Sequence, residues 1–287
     1  MLLKGSPVAE RVLETIKKEI SDSTTPPGLA VVLIGNDPAS EVYVGMKIKK
    51  ATDLGMISKA HRLPSDATLT DILKLINRLN NDPTIHGILV QIPLPKHLDA
   101  NVVIQAIAPE KDVDGLHPIN MGKLLLGQLG GFNPCTPAGI IELLNYYEIP
   151  LLGRHVAVVG RSNIVGKPLA AMLMQKNPST NATVTLLHSQ SQNLIEILKT
   201  ADIIIAAVGV PLFIKENMVS PQTVVVDVGT SRVTANNEKG YTLVGDVDFN
   251  NIVAKCKAIS PVPGGVGPMT VAMLMKNTWE SYKKSSF

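Results

Sequence analysis

Runs of uninterrupted, largely β-branched apolar residues that stop at a glycine set the strongest limit on how this chain folds. Gly28-Leu29-Ala30-Val31-Val32-Leu33-Ile34-Gly35 is one, and Val156-Ala157-Val158-Val159-Gly160 is another. Ile203–Val208 runs into Gly209, and Thr223–Val228, β-branched but broken by Asp227, into Gly229. A strand with one wet face alternates apolar and polar residues, whereas a continuous apolar run belongs to a strand buried on both faces. Ile85–Ile92, Arg154–Val159 and Thr183–Leu187 read as strands too. Between them, apolar residues recur at helical spacing over 5–20, 66–81, Ala100–Ile107, 167–176 and 191–200. Such alternation predicts an α/β fold with parallel sheets covered by helices on both faces. Thr136 as cap and Pro137 as first residue predict a helix to about Tyr147, and the break there marks a domain boundary. An amphipathic last helix, Thr270–Lys284, is placed to return to the first domain.

Composition sets the outer limits. The 287 residues suffice for two domains, and 45% hydrophobic residues suit real cores. No apolar run approaches the about 18–20 residues of a membrane span. Met1–Pro7 turns polar too soon for a signal peptide, so a cytoplasmic location is expected. Cys135 and Cys256 lack the spacing of a zinc site or a disulfide framework. Aromatic residues are 3% of the chain, too few for a base-stacking surface, and no nucleic-acid partner is expected. The net charge of +3 suits a small anionic ligand.

The helix that follows the first buried strand opens with Asp37 as cap and Pro38 in the first turn. At about 100° per residue, Ser40, Val44, Ile48, Ala51 and Leu54 share its apolar face, and Lys47 falls within it. Tyr43 lies one turn before Lys47. A lysine so placed is either snorkelling to water or held for chemistry.

Val156–Pro168 reads as strand, glycine loop and helix, with Gly160 and Gly166 at the turns. Its helix N-terminus is a seat for an anion. NAD-binding units place a carboxylate roughly 20 residues on, for the ribose hydroxyls. Here no acidic residue occurs between Glu148 and Glu196, the next strand ends in His188-Ser189, and Arg161 and Lys167 lie nearby. That pattern favours NADP over NAD. Gly209 and Gly229 close later strands, at the end of the sheet where such cofactors bind. The loop Ser260–Thr270, rich in proline and glycine, is either a stiff connector or a wall against a ligand. Asp112 and Asp114 share a side if their loop is extended, though Asp114-Gly115 also reads as a turn. No metal site is expected.

Together these stretches resemble the bifunctional methylenetetrahydrofolate dehydrogenase/methenyltetrahydrofolate cyclohydrolase family. The matching runs are Gly35-x-x-Pro38-Ala39-Ser40-x-x-Tyr43-Val44-x-x-Lys47, Gly87–Pro95, Pro109–Gly115, Pro134-Cys135-Thr136-Pro137, Gly160–Pro168 and Pro261–Thr270. The resemblance implies a folate-side catalytic domain (1–137 and 268–287), a Rossmann-like NADP domain (138–267), and an active cleft between them. It implies Lys47 as the catalytic lysine, Tyr43 as its folate-facing neighbour, Gln91 as its hydrogen-bond partner and Asp114 as the holder of the pterin ring. Ser40 joins that pocket, with Pro263, Gly264 and Gly265 as further folate contacts. The implied NADP contacts are Gly160, Arg161, Ser162, Ile164, Val165, Gly166, Ser189, Gly209, Gly229 and Thr230. The implied partners are tetrahydrofolate one-carbon derivatives and a second copy of the chain in a homodimer. A dehydrogenase without the hydrolase step, and a non-catalytic NADP-binding regulator, stay open as other readings.

Overall fold

The computed structural model describes residues 1–237 and 240–285. In chain order the elements are α1 (Gly5–Ser21), β1 (Gly28–Ile34), α2 (Pro38–Asp53), β2 (Ile57–Leu63), α3 (Leu69–Asn80), β3 (Gly87–Val90), α4 (Ala100–Gln105), α5 (Pro118–Leu125) and α6 (Cys135–Tyr146). They continue with β4 (His155–Val159), α7 (Gly166–Leu173), β5 (Thr183–Leu187), α8 (Leu194–Thr200), β6 (Ile203–Ala206), β7 (Val224–Asp227), β8 (Ser231–Thr234), β9 (Tyr241–Val244), α9 (Phe249–Ile252), β10 (Ala258–Ile259) and α10 (Val266–Ser285). The chain divides into two compact units. One holds Glu10–Cys135 and the residues from Val271 on; the other holds Met1–Ala9 and Thr136–Thr270.

The first, the Lys47 unit, is built on a parallel sheet of order β2-β1-β3. Every residue of β1 is buried, as its unbroken apolar run requires. The side chains of Ile72, Leu75, Ile76 and Leu79 on α3 pack with Val32, Ile88 and Val90 of the sheet. Thr68 and Asp71 cap α3 reciprocally: Asp71 N–H donates to Thr68 Oγ1 at 3.2 Å, and Thr68 Oγ1 donates to Asp71 Oδ2 at 2.6 Å. The C-terminal part of α10 is anchored by Ser281, whose Oγ lies 2.6 Å from His86 O and 2.7 Å from Glu110 O. The sequence reading leaves 57–63 without an element. β2 is an edge strand with exposed Lys59 and Arg62, so it lacks an apolar pattern.

The second, the glycine-loop unit, carries a parallel sheet of order β10-β7-β6-β4-β5. Its core joins Ala157, Val159, Ile204, Ala206 and Val225 to Leu198 of α8 and Ile252 of α9. β8 and β9 form an antiparallel hairpin, which the expectation of parallel sheets does not include. Their side chains lie mostly outside the core, so they carry no buried-strand signature. Three boundaries differ from expectation. Thr136 does not cap α6; it lies inside the helix, with its Oγ1 2.9 Å from that of Thr270. α10 begins at Val266 rather than Thr270, because Pro268 is tolerated in a first turn. β6 ends at Ala206, two residues early, because a side chain takes over the backbone amide of Val208.

Candidate active site

In the Lys47 unit, α2 starts as the sequence dictates. Asp37 Oδ2 accepts the Ser40 N–H at 2.8 Å and Pro38 follows as a first-turn residue. Ser40, Val44, Ala51 and Leu54 turn inward and are buried; Tyr43 is exposed one turn before Lys47. Lys47 is half-buried, and its Nζ donates to Gln91 Oε1 at 2.8 Å. Gln91 stands just past the carboxyl end of β3, where its backbone N–H donates to Val32 O at 2.9 Å. Its Nε2 donates to Ile92 O at 2.7 Å, which leaves Oε1 for the lysine. The Ile92–Pro93 and Val262–Pro263 bonds are cis.

Burial pushes the Lys47 amine below the ordinary lysine range, while Asp114 and then Cys135 pull it back up. Burial likewise pushes Asp114 up; the Lys47 charge opposes this, Asp112 adds to it, and a hydrogen bond from Cys135 opposes it. Both partners are therefore driven toward their neutral forms.

The loop that carries Asp112 and Asp114 is not extended. The loop turns, with Gly115 N–H donating to Asp112 O at 3.1 Å. Asp112 Oδ2 accepts from His117 N–H and Asn120 Nδ2, each at 2.8 Å, so it braces the start of α5. His117 Nδ1 accepts from Ile119 N–H at 3.0 Å. Two residues in this neighbourhood were not singled out for a role by the sequence. Cys135 Sγ lies 3.3 Å from Val113 O, and its thiol is raised well above the usual range, burial first and Asp114 second. Asn277 of α10 donates through Nδ2 to Val113 O at 2.9 Å and Asn133 O at 3.0 Å, bracing the backbone just ahead of Asp114 and of Cys135.

In the glycine-loop unit, β4 pairs with β5 on one side and β6 on the other. The chain leaves β4 in one direction and returns in the other, so the carboxyl ends of β4 and β6 frame a topological switch point, where open α/β sheets bind ligands. Gly160 stands there with φ of +119°, and a Cβ on it would come 2.0 Å from Ala207 O. A Cβ on Gly166 would meet Gly160 O at 2.0 Å. The loop between leaves Arg161, Ser162 and Ile164 exposed. The sequence reading takes the α7 amides as an open anion seat. In the structure Ser162 Oγ accepts from Val165 N–H at 3.1 Å and Gly166 N–H at 3.3 Å, and Ser162 O from Lys167 N–H at 3.1 Å. With its lone pairs engaged, the Ser162 hydroxyl is left as a donor toward an anion. Gly160 N–H donates to Leu187 O at 2.8 Å, which sets Arg161 beside the end of β5 and the exposed Ser189. Gly209 has φ of +71° and is exposed; Gly229 is buried and Thr230 exposed. Pro263, Gly264 and Gly265 belong to this unit; Gly264 O accepts from Gly5 N–H at 2.8 Å. A backbone-tight glycine cradle, an exposed arginine and a hydroxyl with its proton left to donate fit a phosphorylated dinucleotide.

Residues 3–114 match the tetrahydrofolate dehydrogenase/cyclohydrolase catalytic domain, and residues 134–286 match the NAD(P)-binding domain of the same family. The chain belongs to the tetrahydrofolate dehydrogenase/cyclohydrolase family. It is 90% identical over 286 residues to the bifunctional protein FolD of Chlamydia caviae, covering 100% of both chains. The crystal structure of the bifunctional FolD from Campylobacter jejuni superposes with a TM-score of 0.92 at 42% identity, covering 99% of each chain. The Trypanosoma brucei FolD, complexed with NADP cofactor and inhibitor, gives 0.93 at 34% identity, covering 100% of this chain and 98% of that one. In this family member, no group of three or more His, Cys, Asp and Glu among the described residues is arranged to hold a metal. No helix among them is long and apolar enough to cross a membrane.

Proposed function

We propose that this chain oxidises 5,10-methylenetetrahydrofolate to the 5,10-methenyl form with NADP⁺ and hydrolyses that product to 10-formyltetrahydrofolate. The observation that carries the reading is the Lys47 amine, 2.8 Å from Gln91 Oε1, in surroundings that favour its neutral form. NADP⁺, when bound, supplies the hydride acceptor. Arg161, Ser162 and Ser189 hold its phosphate, and the turns at Gly160, Ile164, Val165, Gly166, Gly209, Gly229 and Thr230 give its contact surface. The absence of a carboxylate between Glu148 and Glu196 supports NADP over NAD.

Hydride loss needs little proton transfer, so the dehydrogenase step rests on positioning. Hydrolysis needs more. Water adds to the methenyl carbon, a C–O bond forms and one C–N bond breaks. A neutral Lys47 takes one of the two protons that the water loses and delivers it to the released nitrogen; the second leaves to solvent as the oxygen becomes the formyl C=O, which discharges the cation. Gln91 aims the amine without adding charge. Tyr43 offers a flat face and a hydroxyl to the folate, Ser40 joins the pocket, and Asp114 holds the pterin. Pro263, Gly264 and Gly265 add folate contacts. By the same resemblance the catalytic part comprises 1–137 and 268–287, and the protein works as a cytoplasmic homodimer. The resemblance names no nucleic-acid or membrane partner.

An absorbance assay of methylenetetrahydrofolate oxidation with NADP⁺ and with NAD⁺, followed by methenyl decay, tests the proposal. Turnover with NADP⁺ above NAD⁺, plus enzyme-dependent decay, is expected. Oxidation without accelerated decay would reduce the chain to a dehydrogenase. No turnover in either step would leave a binding protein.

A further inference from the structure

Two buried aspartates of the glycine-loop unit have no part in the chemistry above. Asp246 follows β9 and is fully buried. Its Oδ2 accepts from Val208 N–H at 2.7 Å and from Gly209 N–H at 2.8 Å. These are the first residues past β6 whose amides leave the ladder. They lie at the switch point, next to Ala207, whose carbonyl abuts Gly160. The turn is thus shaped by a side chain from a distant part of the chain.

The other oxygen, Oδ1, has no hydrogen-bond partner. It faces Gly229, where a Cβ would come within 2.2 Å of it. Asp227, at the end of β7, fixes the approach from below. Its Oδ1 accepts from Asp246 N–H at 2.8 Å and Gly229 N–H at 3.0 Å, and its Oδ2 from Val247 N–H at 3.0 Å. Asp227 therefore sets the backbone of Asp246, and Asp246 sets the turn after β6. A buried carboxylate with one idle oxygen is a costly way to hold a loop. The arrangement makes sense where the loop must keep one shape toward a ligand.

We infer that Asp246 is a positioning residue, holding the Val208–Gly209 turn in the shape the cofactor needs; the inference rests on the NADP reading above. Hydrolysis of methenyltetrahydrofolate uses no cofactor, so it is the internal reference.

The test compares Asp246→Ala and Asp246→Asn with wild type by calorimetric titration of NADP⁺, by cofactor KM and by methenyl decay without cofactor. Asparagine keeps a carbonyl oxygen for the two amides; alanine keeps none. Asp246→Ala is expected to weaken NADP⁺ binding about tenfold or more, and Asp246→Asn to stay within about threefold of wild type, with methenyl decay little changed in both. Should Asp246→Ala not fold, Asp246→Glu replaces it, since one added methylene moves both oxygens off the amides and predicts the same loss. Wild-type affinity in the alanine or glutamate variant would overturn the inference. So would a loss of methenyl decay in step with cofactor affinity, which marks a scaffold role. Wild-type protein that binds no NADP⁺ would overturn the cofactor reading itself, and the inference with it.

Discussion

Lys47 shows how one residue can be read two ways until its partners are known. An ammonium on an apolar helix face reaches water by snorkelling unless something inside accepts it. Gln91 accepts it here without charge, and Asp114 opposes only part of the burial effect. The role of a proton carrier, as against a fixed cation, separates two substitutions. Lys47→Met and Lys47→Arg should both lower the rate of methenyl decay at least ~100-fold, since a guanidinium stays charged and cannot take up a proton. Folate and NADP⁺ affinities, measured by titration, should stay close to wild type in Lys47→Met. Retention of the rate by Lys47→Arg would show that charge alone suffices. Lys47, Gln91 and Asp114 could be named from the sequence because each stands in a recognisable run. Asn277 could not, because it is one polar residue within a helix and its acceptors lie more than 140 positions away.

At the scale of elements, glycines carry contrasting meanings that spacing alone does not separate. Gly166 begins α7 against backbone, with Gly160 O where a methyl group would go. Gly122 sits inside α5 with nothing within 4 Å. Gly166→Ala should destabilise the protein by about 1–3 kcal/mol, because backbone cannot step aside as a side chain would. Gly122→Ala should stabilise it by about 0.5–1 kcal/mol, the ordinary helix preference of alanine over glycine. Thermal melts of the two variants beside wild type, each followed by a reporter in the substituted glycine's own unit, check the opposite signs. The buried strands β1, β4, β6 and β7 were legible because burial on both faces imposes apolar runs, which His155 and Asp227 break only at the ends of β4 and β7. β2 and the β8–β9 hairpin were not, since exposed strands are written in charged and polar residues. The α7 amides looked open for a related reason: that Ser162 turns back onto them is a matter of loop geometry, which residue types leave undetermined.

For the whole molecule, the division into two compact units means that a single unfolding curve does not define one free energy. The reporter must belong to the unit concerned. Asp227 gives the glycine-loop unit a distinctive pH dependence. Burial lifts its carboxyl from the usual range to about 7, against the pull of three backbone N–H donors. The folded chain then keeps a proton that the unfolded chain, with its carboxyl near 3.8, has released. Between about pH 4 and 7 the native state binds more protons, so this group's contribution to stability falls as pH rises and levels off above. The upper bound over that window is ~4 kcal/mol, from roughly three units at about 1.4 kcal/mol each. Asp227→Asn removes the titration while keeping a carbonyl oxygen for Gly229 and Asp246. Amide hydrogen exchange of β6 and β7, comparing wild type with the variant at each pH, cancels the intrinsic exchange rate. Relative protection in wild type should decline from pH 5 to pH 7.5. The single tryptophan, Trp279, lies in the Lys47 unit and supplies a fluorescence reference for the part that Asp227 does not touch. A difference between the two proteins that stays flat across this range would mean that Asp227 is ionised throughout, its charge carried by Gly229, Asp246 and Val247 N–H together.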